Sequence, residues 1–276
     1  MAVEQIVLTL FMLATLAPLA AAVFIWWRRR YGRLFWIVLG IGALGWFVAQ
    51  PLKSVASVVL FPVLGISLTA PTEELMRNIW VLVIGAVLAG FLEEPFKFIG
   101  IFAFRKRINT LSHSICYGLG AGLGAGMLEA ALVGITSYFT VINQAEPVPV
   151  DLNLLLGPVE RVSASFLHAA LTAAFAYLFF SGKPLLGFLI AAGYHTFVDF
   201  YAPWLLVNKV VQDMWLLEAL IAVSVIVLYP HFSDYTEVRR HSRLEGMDRL
   251  LLGLGFGDKI WPTTTKQQRL RQACIR

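Results

Sequence analysis

Apolar runs as long as a bilayer is thick dominate this chain and leave it one class of fold. Seven are legible, at about 5–27, 34–50, 78–104, 111–142, 159–181, 184–207 and 213–230. About 20 apolar residues carry a helix through the hydrocarbon core of a membrane. In that medium every backbone N–H and C=O needs a partner within the protein, so only helices and closed barrels span it. The short alternating segments of a barrel are absent, and these runs are far too long for its strands. Only 14% of residues are charged, against about 25% in an average soluble domain. The expected fold is all-α: a polytopic transmembrane bundle of about seven spans over residues 1–230, followed by a basic cytoplasmic tail over 231–276.

The net charge of +5 points to lipid rather than nucleic acid, because the basic residues gather at the ends of the apolar runs. With the N-terminus outside, the cytoplasmic face receives Arg28, Arg29, Arg30, Arg33, Arg105, Lys106, Arg107, Lys183 and the tail. The outer face then holds only Lys53, Arg77 and Lys209. That asymmetry follows the positive-inside rule. An integral protein of a prokaryotic plasma membrane is expected, since no organelle signal is visible. The first basic cluster follows the first apolar run instead of preceding it, which predicts an uncleaved first helix. Cys116 and Cys274 are too far apart in sequence to suggest a structural disulfide, and no zinc-type cysteine spacing exists.

Two segments resist this scheme. Ser54–Ala70 is apolar but contains Pro62 and Gly65, and a full crossing there would invert everything after it. It is read as an external re-entrant or interfacial segment. Residues 144–158 carry Pro147, Pro149 and Pro158 and read as an irregular outer connection.

Charge near a bilayer midplane is costly, so an acid there is a candidate functional group. Glu93 and Glu94 lie inside the third run, and Glu93 is roughly 18 Å from the basic cluster at Arg105 along a helix. Lys97 follows Glu93 by four residues, the favoured order for an ion pair on one helix face. Pro95 frees the carbonyl of Phe91 and predicts a kink. The fourth run contains Gly118, Gly122 and Gly126 on one face and Gly120 and Gly124 on another, a spacing suited to close helix packing. No Lys-Ser/Thr ending or preceding strand makes it a phosphate loop. Glu129 lies one turn beyond and is expected inside the bundle. In the fifth run Arg161 and His168 are two turns apart on one face. In the sixth, His195 and Asp199 are one turn apart, so that the aspartate can orient the imidazole.

A carboxylate and an imidazole that converge on one water form a general base for hydrolysis. A second imidazole can stabilise the oxyanion that develops on a carbonyl. Glu93, His168 and His195 fit these parts, with Asp199 orienting His195 and with Lys97 and Arg161 balancing the acids. Two histidines and a carboxylate can also hold zinc with one position open. The metal-free version is preferred, because no His-Glu-x-x-His motif is present. Buried acids and histidines also build proton relays in transporters, and a non-catalytic membrane scaffold would use the same groups for stability. Both remain alternatives.

The ordered set Glu93-Glu94-x-x-Lys97, the glycine-rich helix ending in Glu129-Ala130, Glu160-Arg161 followed by six residues and His168, and His195-x-x-x-Asp199 resembles the glutamic-type intramembrane proteases. That clan includes the CAAX prenyl endopeptidases, the PrsW proteases and the YhfC proteins. The glycine helix and the 160–168 block are most similar to YhfC, whereas Lys97 is more like PrsW. The resemblance covers about 90–200. It implies an endopeptidase acting on a membrane protein or peptide, with Glu93 catalytic, Glu94 supporting it, His168 helping to activate water and His195 at the oxyanion. CAAX endopeptidases usually carry asparagine where this chain has Asp199.

Overall fold

The computed structural model describes residues 3–29, 32–108, 110–143, 155–208, 210, 214–221 and 223. All belong to one compact unit spanning Met1–Val238. The helices are α1 (Val3–Arg29), α2 (Arg33–Val63), α3 (Thr72–Arg77), α4 (Ile79–Leu88), α5 (Glu94–Ala103), α6 (Leu111–Ile142), α7 (Leu156–Phe180) and α8 (Pro184–Val207), with no strand among the described residues. Among the described residues six helical stretches are long and apolar enough to cross a membrane, α4 and α5 together forming one of them. The polytopic helical bundle expected from the sequence is the fold observed. The seventh run is helical over 214–221; its remainder, most of the 144–158 connection and the 231–276 tail lie outside the described residues.

Local chemistry sets the helix ends. The side chain of Asn78 accepts from the Trp80 N–H at the start of α4, and Thr110 does the same for the His113 N–H at the start of α6. Such caps satisfy donors that the helix itself leaves open. Gly182, at φ +80°, makes the tight turn from α7 into α8, a conformation that costs glycine little.

The segment after Ser54 corrects the sequence reading. It is neither a separate crossing nor a re-entrant loop: residues up to Val63 continue α2 as one 31-residue helix. At 1.5 Å per residue that is about 46 Å, well beyond the roughly 30 Å of hydrocarbon. Pro51 and Pro62 both lie inside it. Its chain turns at Gly65, φ +72°.

Helix α6 is the hub, and its two glycine faces do different jobs. A Cβ at Gly118, Gly122 or Gly126 would collide with the α7 backbone near Thr172, His168 and Ser165. A Cβ at Gly124 would meet the backbone of Leu39 in α2, and at Gly120 the ring of Phe35 at 2.8 Å. The expected packing role of this run is thus the observed one, shared between two neighbours. Phe11 of α1 seals the far end against Gly134 and Gly157. That contact places the start of α1 on the same side of the bundle as the end of α6 and the start of α7.

A buried Glu/His cluster as candidate active site

The third span does not run as one regular helix. A single wide π turn, Ala89–Glu93, joins α4 to α5, and Pro95 sits in the first turn of α5. Proline has no N–H to continue the ladder, and π turns of this kind often occur at functional sites. Gly90 lets this turn press against the backbone of Ala192 in α8. The outcome is that Glu93 and Glu94 both point inward, 2% and 0% exposed, with Lys97 also at 0%.

The ion pair predicted between Glu93 and Lys97 is not the one formed. Lys97 Nζ donates to Glu94 Oε1 at 2.5 Å, and Glu93 is paired with Lys53 of α2. Positions three and four apart are both neighbours on a helix, so spacing alone leaves the choice open. Tertiary partners make it: α2 brings a cation to Glu93, and α7 brings His168 to Lys97.

Helix α7 supplies His168. Its Nδ1 receives Lys97 Nζ at 2.8 Å, and its Nε2 lies 2.6 Å from Glu129 Oε2. Glu129 Oε1 accepts from Arg161 Nη1 at 2.6 Å, and Arg161 also binds Glu160. Arg161 therefore ties α6 to α7. Helix α8 supplies His195, whose Nδ1 lies 2.8 Å from Glu94 Oε1. Its Nε2 is 3.4 Å from Asp199 Oδ2 and 3.8 Å from Glu93 Oε2. The two imidazoles meet edge to face, with centroids 4.9 Å apart.

All the residues singled out in the sequence thus join one network: Glu93, Glu94, Lys97, Glu129, Arg161, His168, His195 and Asp199. Two further members were missed. Gln50 Nε2 donates to Glu93 Oε1 at 3.2 Å, and Lys53 binds the same oxygen. Ending the second span at residue 50 placed Lys53 on the outer surface. The usable signal was Gln50 and Lys53 at helical spacing in an apolar stretch. Within the network Glu94 and Lys97 are fully buried, whereas the side chains of Lys53 (23%) and Asp199 (39%), on the side that holds the N-terminus, are partly exposed.

The donor set suits a cation. Glu93, His168 and His195 each present a ligand atom, all within 4.8 Å of one another. Oε2 of Glu93 and Oε2 of Glu94 are buried without a hydrogen-bond partner. The carboxylates of Glu93, Glu94, Glu129, Glu160 and Asp199 gather here with Lys53, Lys97 and Arg161. His195 has the support typical of a metal ligand, the Glu94 carboxylate on its Nδ1. His168 is the constrained member, since Lys97 and Glu129 occupy both of its nitrogens.

Residues 13–151, half of the chain, match the model of a family described as YhfC intramembrane metalloprotease. That stretch includes Lys53, Glu93, Glu94, Lys97 and Glu129. The uncharacterized membrane protein YhfC of Bacillus subtilis (strain 168) is 29% identical over 202 residues, covering 63% of this chain and 74% of that protein. The chain belongs to the YhfC intramembrane metalloprotease family.

Proposed function

We propose that this protein is an intramembrane endopeptidase that hydrolyses a peptide bond of a membrane-associated substrate, with Glu93 and His195 holding the attacking water. One observation carries the reading. Glu94 fixes the His195 ring through Nδ1 at 2.8 Å, which turns Nε2 toward the cluster, 3.4 Å from Asp199 Oδ2. The same Nε2 faces the free Oε2 of Glu93 at 3.8 Å. This is too long for a hydrogen bond, so Oε2 keeps a free acceptor position beside the imidazole. A water donating to Oε2, or a divalent cation, would bridge the two groups.

In the reaction the water oxygen bonds to the peptide carbonyl carbon and the C–N bond breaks. Glu93 is placed to take the water proton and deliver it to the leaving amine, as a general base that becomes a general acid. Burial among apolar helices excludes competing water and strengthens each polar contact. A divalent ion held by Glu93 and His195, with His168 as third ligand where Lys97 gives up its Nδ1, would lower the pKa of its water and polarise the carbonyl. His168 is less suited than His195 to the proton transfer itself, because Lys97 occupies its Nδ1 and Glu129 its Nε2. It is better suited to orienting the site.

The test uses the full chain in lipid vesicles with a single-span peptide carrying a fluorophore and quencher. Glu93→Gln and His195→Ala are each expected to lower cleavage by at least about 100-fold, the lower range for loss of acid–base catalysis. Their melting temperatures should stay near that of the parent. Undiminished cleavage by Glu93→Gln would falsify the assignment.

A further inference from the structure

Glu93 presents only one free oxygen, and the reason lies on α2. Gly45 allows that helix to lie directly on the backbone of Phe96 and Lys97, where any side chain would overlap. The register so fixed buries Trp46 and Ala49. The next positions on the same stripe, Gln50 and Lys53, then meet Glu93 Oε1 from two directions. Oε2 is left without a partner and turned toward His195.

We propose that Lys53 and Gln50 are positioning residues for Glu93, holding Oε1 so that Oε2 alone faces the reacting centre. The proposal deepens the assignment of Glu93 and rests on it. The two donors act differently. Lys53 supplies charge and reaches in from the exposed side; Gln50 supplies a planar amide that fixes the rotation of the carboxylate. Without them the carboxylate can rotate and offer either oxygen, or both, to whatever lies beside His195. Lys97 and Arg161 are committed to Glu94 and to the Glu129–Glu160 pair, so neither substitutes for Lys53.

The experiment compares Lys53→Met, Lys53→Arg, Gln50→Leu and Glu93→Gln in the full-length protein. Co2+ binding is titrated by visible absorption, and kcat and KM are read with the quenched single-span peptide. Lys53→Met is expected to weaken Co2+ binding and to lower kcat by about 10–100-fold each, the usual cost of removing an outer-shell partner, with KM changed less than about threefold. Gln50→Leu should do the same to a smaller degree. Lys53→Arg should recover most of both losses, which a merely structural pair at this position would not require. If Lys53→Met retains the parent's Co2+ affinity and kcat while Glu93→Gln loses them, the positioning role is wrong and the Glu93 assignment stands. If Glu93→Gln retains both, the site assignment is wrong and the positioning role falls with it.

Discussion

Lys97 Nζ lies 2.8 Å from Nδ1 of His168, and this one contact sets the tautomer of the imidazole. An ammonium group has three donors and no acceptor. Nδ1 must therefore be the bare nitrogen, and the proton sits on Nε2, donated to Glu129 at 2.6 Å. A chain of charge runs from Glu94 through Lys97 and His168 to Glu129 and Arg161, linking α5, α7 and α6.

Lys97 is wholly buried, so its removal leaves Glu94 charged and uncompensated. Lys97→Met should cost about 3–5 kcal/mol, the penalty for breaking a buried pair by deleting one partner. Glu94→Gln added to Lys97→Met should recover part of that loss. Reversible unfolding in mixed micelles measures both, and equal stability of Lys97→Met and the parent would contradict the buried pair.

The α6–α7 seam offers a sharper packing test. Gly122→Ala forces a methyl group into the backbone at His168 and should cost about 1–3 kcal/mol, the range for overpacking. It should also lower activity, because the strain falls on a site residue. Gly85→Ala meets no atom within 4 Å and should leave stability unchanged or raise it by about 0.5–1 kcal/mol, since glycine is a poor helix residue.

Arg161 is shared by two carboxylates on different helices. A double-mutant cycle of Arg161→Met with Glu129→Gln should give a coupling of about 0.5–3 kcal/mol, as for residues in one charged network. Independent, additive effects of the two substitutions would show that the pair does not act as a unit.

Metal dependence has its own readout. The parent is expected to bind about one Co2+ per chain, as the one cluster of three donors among the described residues implies. His195→Ala and His168→Ala should each abolish tight binding, whereas His113→Ala, outside that cluster, should retain it. An excess of 1,10-phenanthroline should stop peptide cleavage, and added Zn2+ should restore it. Cleavage that survives complete metal removal would favour water activation by Glu93 and His195 alone.

Much of the site is legible in the sequence because a membrane makes polar residues conspicuous. Glu93, Glu129, His168 and His195 stand out in apolar runs, and the glycine spacing of 118–126 announces which faces pack. Pairing is less legible. Glu93–Lys97 satisfied the helical spacing rule and was still not formed, because the rule describes an isolated helix and two neighbouring helices outbid it. Lys53 is hidden for a related reason: Pro62 and Gly65 set Ser54–Ala70 apart as an external segment, while the fold carries α2 on to Val63 as one long helix.

What the sequence determined by itself is the medium and the material: helices of bilayer length, with a small set of ionisable groups near mid-depth. Lipid offers no hydrogen bonds, so that much follows from composition and run length. What only the tertiary structure decided is who meets whom. The wide turn before Pro95 aims both glutamates inward, and Gly45 brings Gln50 and Lys53 onto one oxygen of Glu93. Those choices rest on close backbone approach between distant segments, which no local pattern records.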